Sequence, residues 1–348
     1  MPGINENTLT LTRALKLVFQ ESSPPLRDFL RLFWPTVRTY DTAEIPADTV
    51  VSSKKIARYR EVNAGSNIFA YIPGKGAVYD PANLDESTPI TEKLARAVTA
   101  GLESNGPAHQ QIVEKAAQIQ RNHDAIILSA IVKQGIDIMV NGTFQPKGKN
   151  GVNIGSLFDY DRDLDNTIPA NADPVAALQL AWDQYKKKGG ASNNAFALMG
   201  PMVLSALEQS AAFKEALKLQ GLNAGYSRLV GDNRVVADII PGGFKLPGRA
   251  ARITLLSFDE SYEDESGEFI PFMPPKGIII SSFNAPRVQA YGGIFLVNNF
   301  TGSAKMVRGE LVSDSFWTKN PDAYIFRSQS RPVLVPGEID HIVYASIT

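Results

Sequence analysis

The chain has 348 residues, 35 Lys plus Arg against 36 Asp plus Glu, 44% hydrophobic residues and no cysteine. That composition buries a sizeable core and excludes a disordered or collagen-like polymer. A net charge of -1 argues against a dedicated nucleic-acid binder, which needs clustered Lys and Arg. Without thiols there are no disulfides, thiolate zinc sites, iron–sulfur clusters or cysteine nucleophile.

Met1–Asn7 lacks a basic stretch followed by an apolar run, so no secretory leader is expected. The most apolar stretch, Ala125–Val132, is far shorter than the roughly 20 residues of a spanning helix. The expectation is a soluble protein with no membrane partner.

The first segment reads as an arm. Leu11, Ala14, Leu15 and Val18 recur at helical spacing, and after Ser22-Ser23-Pro24-Pro25 a second helix carries Leu26, Phe29, Leu30 and Phe33. Trp34-Pro35 stops it. Both helices are too short to be stable alone in water. From Thr49 to Val62 β-formers mix with charge on both faces, Asn63–Asn67 is a turn signal, and Ile68–Ile72 runs back to Pro73-Gly74. This is a long β-hairpin, polar on both sides and marginal by itself, suited to lie on a neighbouring subunit.

Thr88–Glu103 is expected to form a helix. A longer one follows, from Pro107 to about Met139, with Ile112, Ala116, Ile119, His123, Ile126, Ile127 and Ala130 on its stripe. It would span about 50 Å at 1.5 Å per residue, with Gly135 a possible weak point. Asn141–Thr167 is polar strand and loop. Asp173-Pro174 caps and opens a helix that closes at Lys186-Lys187-Lys188-Gly189-Gly190. Strands at Ala195–Met199, Val235–Ile240, Ile253–Phe258 and Ile278–Ile280, with one or two helices over Met202–Leu219, make a separate α+β lobe. Strands at Tyr291–Val297, Tyr324–Gln329, Pro332–Val335 and Ile339–Ala345 are expected to pair with the Asn141 region or the long helix. The lobe is then an insertion in the first domain.

No catalytic constellation emerges. His109, His123 and His341 show no metal-site spacing, and His123 on an apolar stripe reads as a packing residue. The acidic run Asp159–Asp165 fails the EF-hand pattern, with Leu164 and Ala170 where Gly and Glu are required. Gly74-Lys75-Gly76 and Gly148-Lys149 are fragments of phosphate loops without their context. Ser52-Ser53-Lys54-Lys55 lacks the companion motifs of a Ser-x-x-Lys acyl enzyme. No catalytic residue, cofactor-binding residue or metal ligand is therefore assigned, no cofactor is expected, and a structural role remains.

The order of these parts resembles the tailed-phage major capsid fold of Hong Kong 97 type, and within it the lambda-type, major capsid protein E-like family. The resemblance is carried by Leu30-Arg31-Leu32-Phe33-Trp34, Ile45-Pro46, Pro73-Gly74, Asn320-Pro321-Asp322, Ser330-Arg331-Pro332-Val333-Leu334-Val335 and Glu338-Ile339-Asp340.

It implies an α+β fold with an N-terminal arm (1–35), an extended hairpin (36–82), a spine helix with peripheral strands (83–169), an axial α+β domain (170–282) and return strands (283–348). It further implies a virion protein, assembled in the host cytoplasm through pentamers and hexamers into an icosahedral shell around double-stranded DNA that it does not read by sequence. Implied partners are other copies, a portal, a separate scaffold and a decoration protein. Inter-subunit contact candidates are Leu26, Phe29, Leu30, Phe33 and Trp34 on the arm, and Ile56, Tyr59, Phe69 and Tyr71 on the hairpin. Deleting residues 1–35 is expected to leave soluble subunits or capsomers. Distant relatives form Lys–Asn cross-links; Lys54 and Lys55 lie in the right kind of hairpin, but no spacing identifies their partners. The alternatives are an encapsulin-like compartment enclosing enzyme cargo and a soluble α+β enzyme.

Overall fold

The computed structural model describes residues 25–48, 76–90, 107–148, 151–154, 156–163, 167–191, 193–220, 228–229, 236–240, 243–249, 252–264, 266–297, 304–319 and 322–348. The expected helix at residues 11–20 and the body of the hairpin lie outside them.

Five helices are described: α1 (Pro25–Phe33), α2 (Pro107–Asn141), α3 (Pro174–Lys187), α4 (Pro201–Gln209) and α5 (Ala211–Leu219). The largest sheet has eight strands. Its main path runs 167–171, 343–347, 277–282, 195–199, 252–258, 236–238 and 228–229, with 244–245 paired beside 252–258. The central strand Ala195–Met199 is buried along its whole length, parallel to 252–258 on one side and antiparallel to 277–282 on the other. An unbroken apolar run is what such a strand requires, because both its faces are covered.

This sheet divides two cores. Phe196, Leu198, Leu256, Phe258 and Ile279 point to the side that holds α1 and α2. Ala195, Ala197, Met199, Ile253, Leu255, Ile278 and Ile280 point to the side covered by α3, α4 and α5. The alternation is the two-residue period of an extended backbone. Smaller sheets surround the first core: 36–39, 287–291 and 332–336 form one, and 312–319, 322–330 and 84–90 another.

Helix α2 runs for 35 residues and from Ala117 onward buries Ile127, Leu128, Ile131, Val132, Ile136, Ile138 and Met139. Gly135 marks a close approach. A Cβ there would sit 2.9 Å from Trp34 Nε1 and 3.0 Å from Leu334 Cδ1. The helix ends on Gly142, whose left-handed φ of 73° brings its N–H onto the Ile138 carbonyl at 2.8 Å. Arg162 donates to the last-turn carbonyls of Met139 at 2.9 Å and Val140 at 2.6 Å. Burial draws the Arg162 pKa down to about 10, with Asp340 opposing.

Helix α1 ends in the same way. Arg287, fully buried, donates to the Phe33 carbonyl at 3.2 Å and to Ser281, while Gln289 donates to the Trp34 carbonyl at 2.6 Å. Two side chains of one strand thus satisfy the negative end of a short helix. Arg27 of α1 also reaches Asp124 of α2 at 3.2 Å.

Three expectations are corrected. Residues 84–90 form a strand where a helix was expected to begin, because Leu84–Ile90 pairs along 324–330. The last strand, 343–347, packs on α2 as expected, but its strand partners are 277–282 and 167–171, so it belongs to the large sheet of the lobe that was expected to be separate. His341 lies in a short 3-10 turn, Ile339–His341, ahead of that strand and not within it.

Candidate assembly surface

His123 accounts for itself by packing. It is buried where α2 meets the strands 84–90 and 322–330, 2.7 Å from Thr88 Oγ1 and 3.3 Å from Ser328 Oγ. Burial lowers its pKa, partly offset by Asp85, so the imidazole is neutral near pH 7. His341 pairs with Glu338 Oε2 at 2.7 Å, and that bond holds the Glu338 carboxyl below its usual range. His109 falls in the first turn of α2. Around the acidic run, the Asp161 N–H closes onto Asp159 Oδ1 and Asp163 pairs with Lys188. Among the described residues no three His, Asp or Glu side chains converge as a metal site.

The surface is where unmet demand remains. Strands 45–48 and 76–79 pair antiparallel on either side of residues 49–75 in the sequence. The pair is fastened by Ile45 and Tyr79, both buried, with Tyr79 5.2 Å from the Phe158 ring and 5.5 Å from Tyr160. Ile56, Tyr59, Phe69 and Tyr71, like Lys54 and Lys55, lie outside the described residues.

Four of the five arm candidates are corrected. Phe29, Leu30, Phe33 and Trp34 are at most 1% exposed and belong to the chain's own core. The Phe29 ring lies tilted 4.5 Å from Phe258, and Phe33 lies 5.0 Å from Phe196. Leu26 is partly buried against the same cluster. The helical stripe did need a surface to lie on, and the underside of the chain's own sheet supplies it. Deletion through residue 35 therefore removes a piece of core.

Apolar groups that sequence reasoning passed over stand exposed elsewhere. Phe269 and Ile270 project from the hairpin 261–271, and Phe295 and Met306 from the hairpin 294–307. Val152, Ile154 and Leu157 crowd the loop after α2, and Leu219 ends α5. Ile294-Phe295-Leu296-Val297 is apolar at every position, so periodicity could not say which side faces out.

The family model for phage major capsid protein E matches residues 10–347. The chain belongs to that family. This capsid protein shares its fold with a prophage protein from Escherichia coli CFT073 assigned to the capsid, at 16% identity and a TM-score of 0.66, covering 99% of this chain and 100% of that one. A phage-related protein from Bordetella bronchiseptica RB50 matches at 10% identity and a TM-score of 0.50, with 96% of each chain covered. No curated protein matches. The architecture is the Hong Kong 97-type capsid fold, and the family is structural, not enzymatic. A capsid protein works in a shell of copies within the virion, so exposed apolar side chains are the features to explain.

Proposed function

We propose that the chain assembles through pentamers and hexamers into the icosahedral head shell that encloses phage double-stranded DNA. The carrying observation is the span of the family match, residues 10–347, which is nearly the whole chain. The chain then divides into arm, extended hairpin, spine helix with peripheral strands, and an inserted axial domain. Strands 167–171 and 343–347 join the axial sheet through their pairing.

The charge balance supports an enclosing wall. With 35 basic and 36 acidic residues, the subunit contains DNA without the counterion-releasing grip of a binding protein. Repeated heterologous contacts about a rotation axis close rings. A portal, a separate scaffold and a decoration protein complete the assembly, which takes place in the host cytoplasm. Ile56, Tyr59, Phe69 and Tyr71 remain contact candidates on the extended hairpin.

Electron microscopy of purified, concentrated protein tests this reading. Closed shells are expected, with nuclease-resistant double-stranded DNA in particles taken from phage-producing cells. Small oligomers under all assembly conditions, or particles filled with enzyme cargo, would contradict it.

A further inference from the structure

Two exposed β-hairpins carry apolar residues and opposite charge. The first pairs Ser261–Glu263 with Phe269–Pro271, placing Glu263 directly across from Phe269 on one face. Residues 259–271 contain six acidic side chains, Asp259, Glu260, Glu263, Asp264, Glu265 and Glu268, and no Lys or Arg. Phe269 is 73% exposed and Ile270 37%. The turn is ordered by Asp264, which accepts from the backbone N–H of Ser266 and Glu268. Tyr262 is fastened to Phe272 at 5.1 Å. The hairpin is therefore a fixed projection from the core that presents its aromatic ring outward.

The second hairpin pairs Ile294–Val297 with Ala304–Val307 and sets Phe295 across from Met306. Phe295 is 60% exposed and Met306 41%, whereas Ile294 on the other face is buried. Residues 292–309 contain Lys305 and Arg308 and no Asp or Glu. Arg308, two residues beyond Met306, approaches Asp41 only at 3.8 Å, with both side chains largely exposed, a pairing that contributes little. Phe269 and Phe295 are too exposed to cover one another within a chain.

We propose that the acidic hairpin of one copy docks face to face on the basic hairpin of the next, seating Phe269 against Phe295 and Met306 and Glu263 against Arg308. The occupant is a second copy of this chain. Opposite charge sets orientation and suppresses self-pairing of like hairpins, and the aromatic and thioether groups supply the desolvated centre. The contact is heterologous, because different surfaces meet, and so it propagates around a ring. It rests on the shell reading.

The test uses full-length protein, whose lack of cysteine gives a clean background. Ser261→Cys and Ala304→Cys place thiols beside the two aromatic groups without removing them. Subunits carrying one thiol each are mixed before assembly and treated with a flexible bis-maleimide. Cross-linked dimer joining 261 to 304 is expected in assembled particles, and neither from unassembled subunits nor from either variant alone. Charge reversal is the second arm. Glu263→Lys and Arg308→Glu should each lower particle yield about tenfold, as like charges are brought together. Both in one chain should restore yield to within about twofold, because every contact then holds the swapped pair. Thermal melting of the unassembled variants should match the parent. Particles that form without the cross-link, or a double variant as defective as the singles, would overturn the pairing and leave the shell reading standing. Failure of the parent protein to form particles, in phage-producing cells as well as in purified form, would overturn both.

Discussion

Helix α1 and the hairpin 294–307 are both short elements rich in apolar residues, yet their side chains end in opposite places. Phe29, Leu30, Phe33 and Trp34 are sealed by the chain's own sheet, while Phe295 and Met306 face solvent. Apolar patterning states that burial is needed, not which molecule provides it. The difference lies in what surrounds each element. Helix α1 has Arg287 and Gln289 across its C-terminal carbonyls and Arg27 reaching Asp124, so polar partners fix it to the body. The hairpin's exposed face has only the long, solvent-exposed Arg308–Asp41 pair at its edge, which contributes little.

The largest effect should come from breaking the sealed side. Phe33→Ala removes a ring packed between Phe29 and Phe196 and should destabilise the unassembled subunit by about 3–5 kcal/mol, measured by urea denaturation. A loss below about 1 kcal/mol would place α1 outside the core after all. Gly135→Ala comes next. Helix propensity alone favours alanine by about 1 kcal/mol, but the buried Trp34 ring 2.9 Å from the added carbon should reverse the sign. A net loss of about 1–2 kcal/mol is expected, and a raised melting temperature would refute the close approach.

His123 gives a smaller, pH-dependent effect. Its folded pKa lies below the usual histidine value because of burial, so the unfolded chain binds more protons in the window between the two. Its contribution is complete above the unfolded pKa, near 6.5, and is lost as pH falls towards the folded one. His123→Asn should flatten the decline in melting temperature between pH 7 and pH 5 relative to the parent. Parallel pH profiles would assign that decline to other groups. Smallest is Phe295→Ser, which should shift subunit stability by no more than about 0.5 kcal/mol while lowering particle yield. A large stability loss would mean that the ring is already covered at home.

What could be read from the chain was local. Pro25–Phe33, the start of α2 at Pro107 and the Asp173 cap, whose carboxylate accepts from the Val175 N–H, follow from spacing and capping within a few residues. The resemblance to capsid proteins rested on the order of such parts. Pairing between distant strands was not legible. Leu84–Ile90 is a strand because 324–330 lies beside it, and 343–347 enters the large sheet, between 167–171 and 277–282, from the far end of the chain. Nor could the stripe of α1 reveal that the surface it needed was its own. The exposed hairpin pairs were hidden for a similar reason, since outward and inward faces separate only when the sheet is in place.

Amide hydrogen exchange, compared between unassembled subunits and closed particles, tests the contrast most directly. Amides of Phe29–Trp34, the ones bonded within α1, should be strongly protected in both states, and those of 261–270 and 294–307 should gain protection only in particles. Rapid exchange throughout α1 in the free subunit, or hairpins indifferent to assembly, would contradict the division between surfaces sealed at home and surfaces sealed by neighbours.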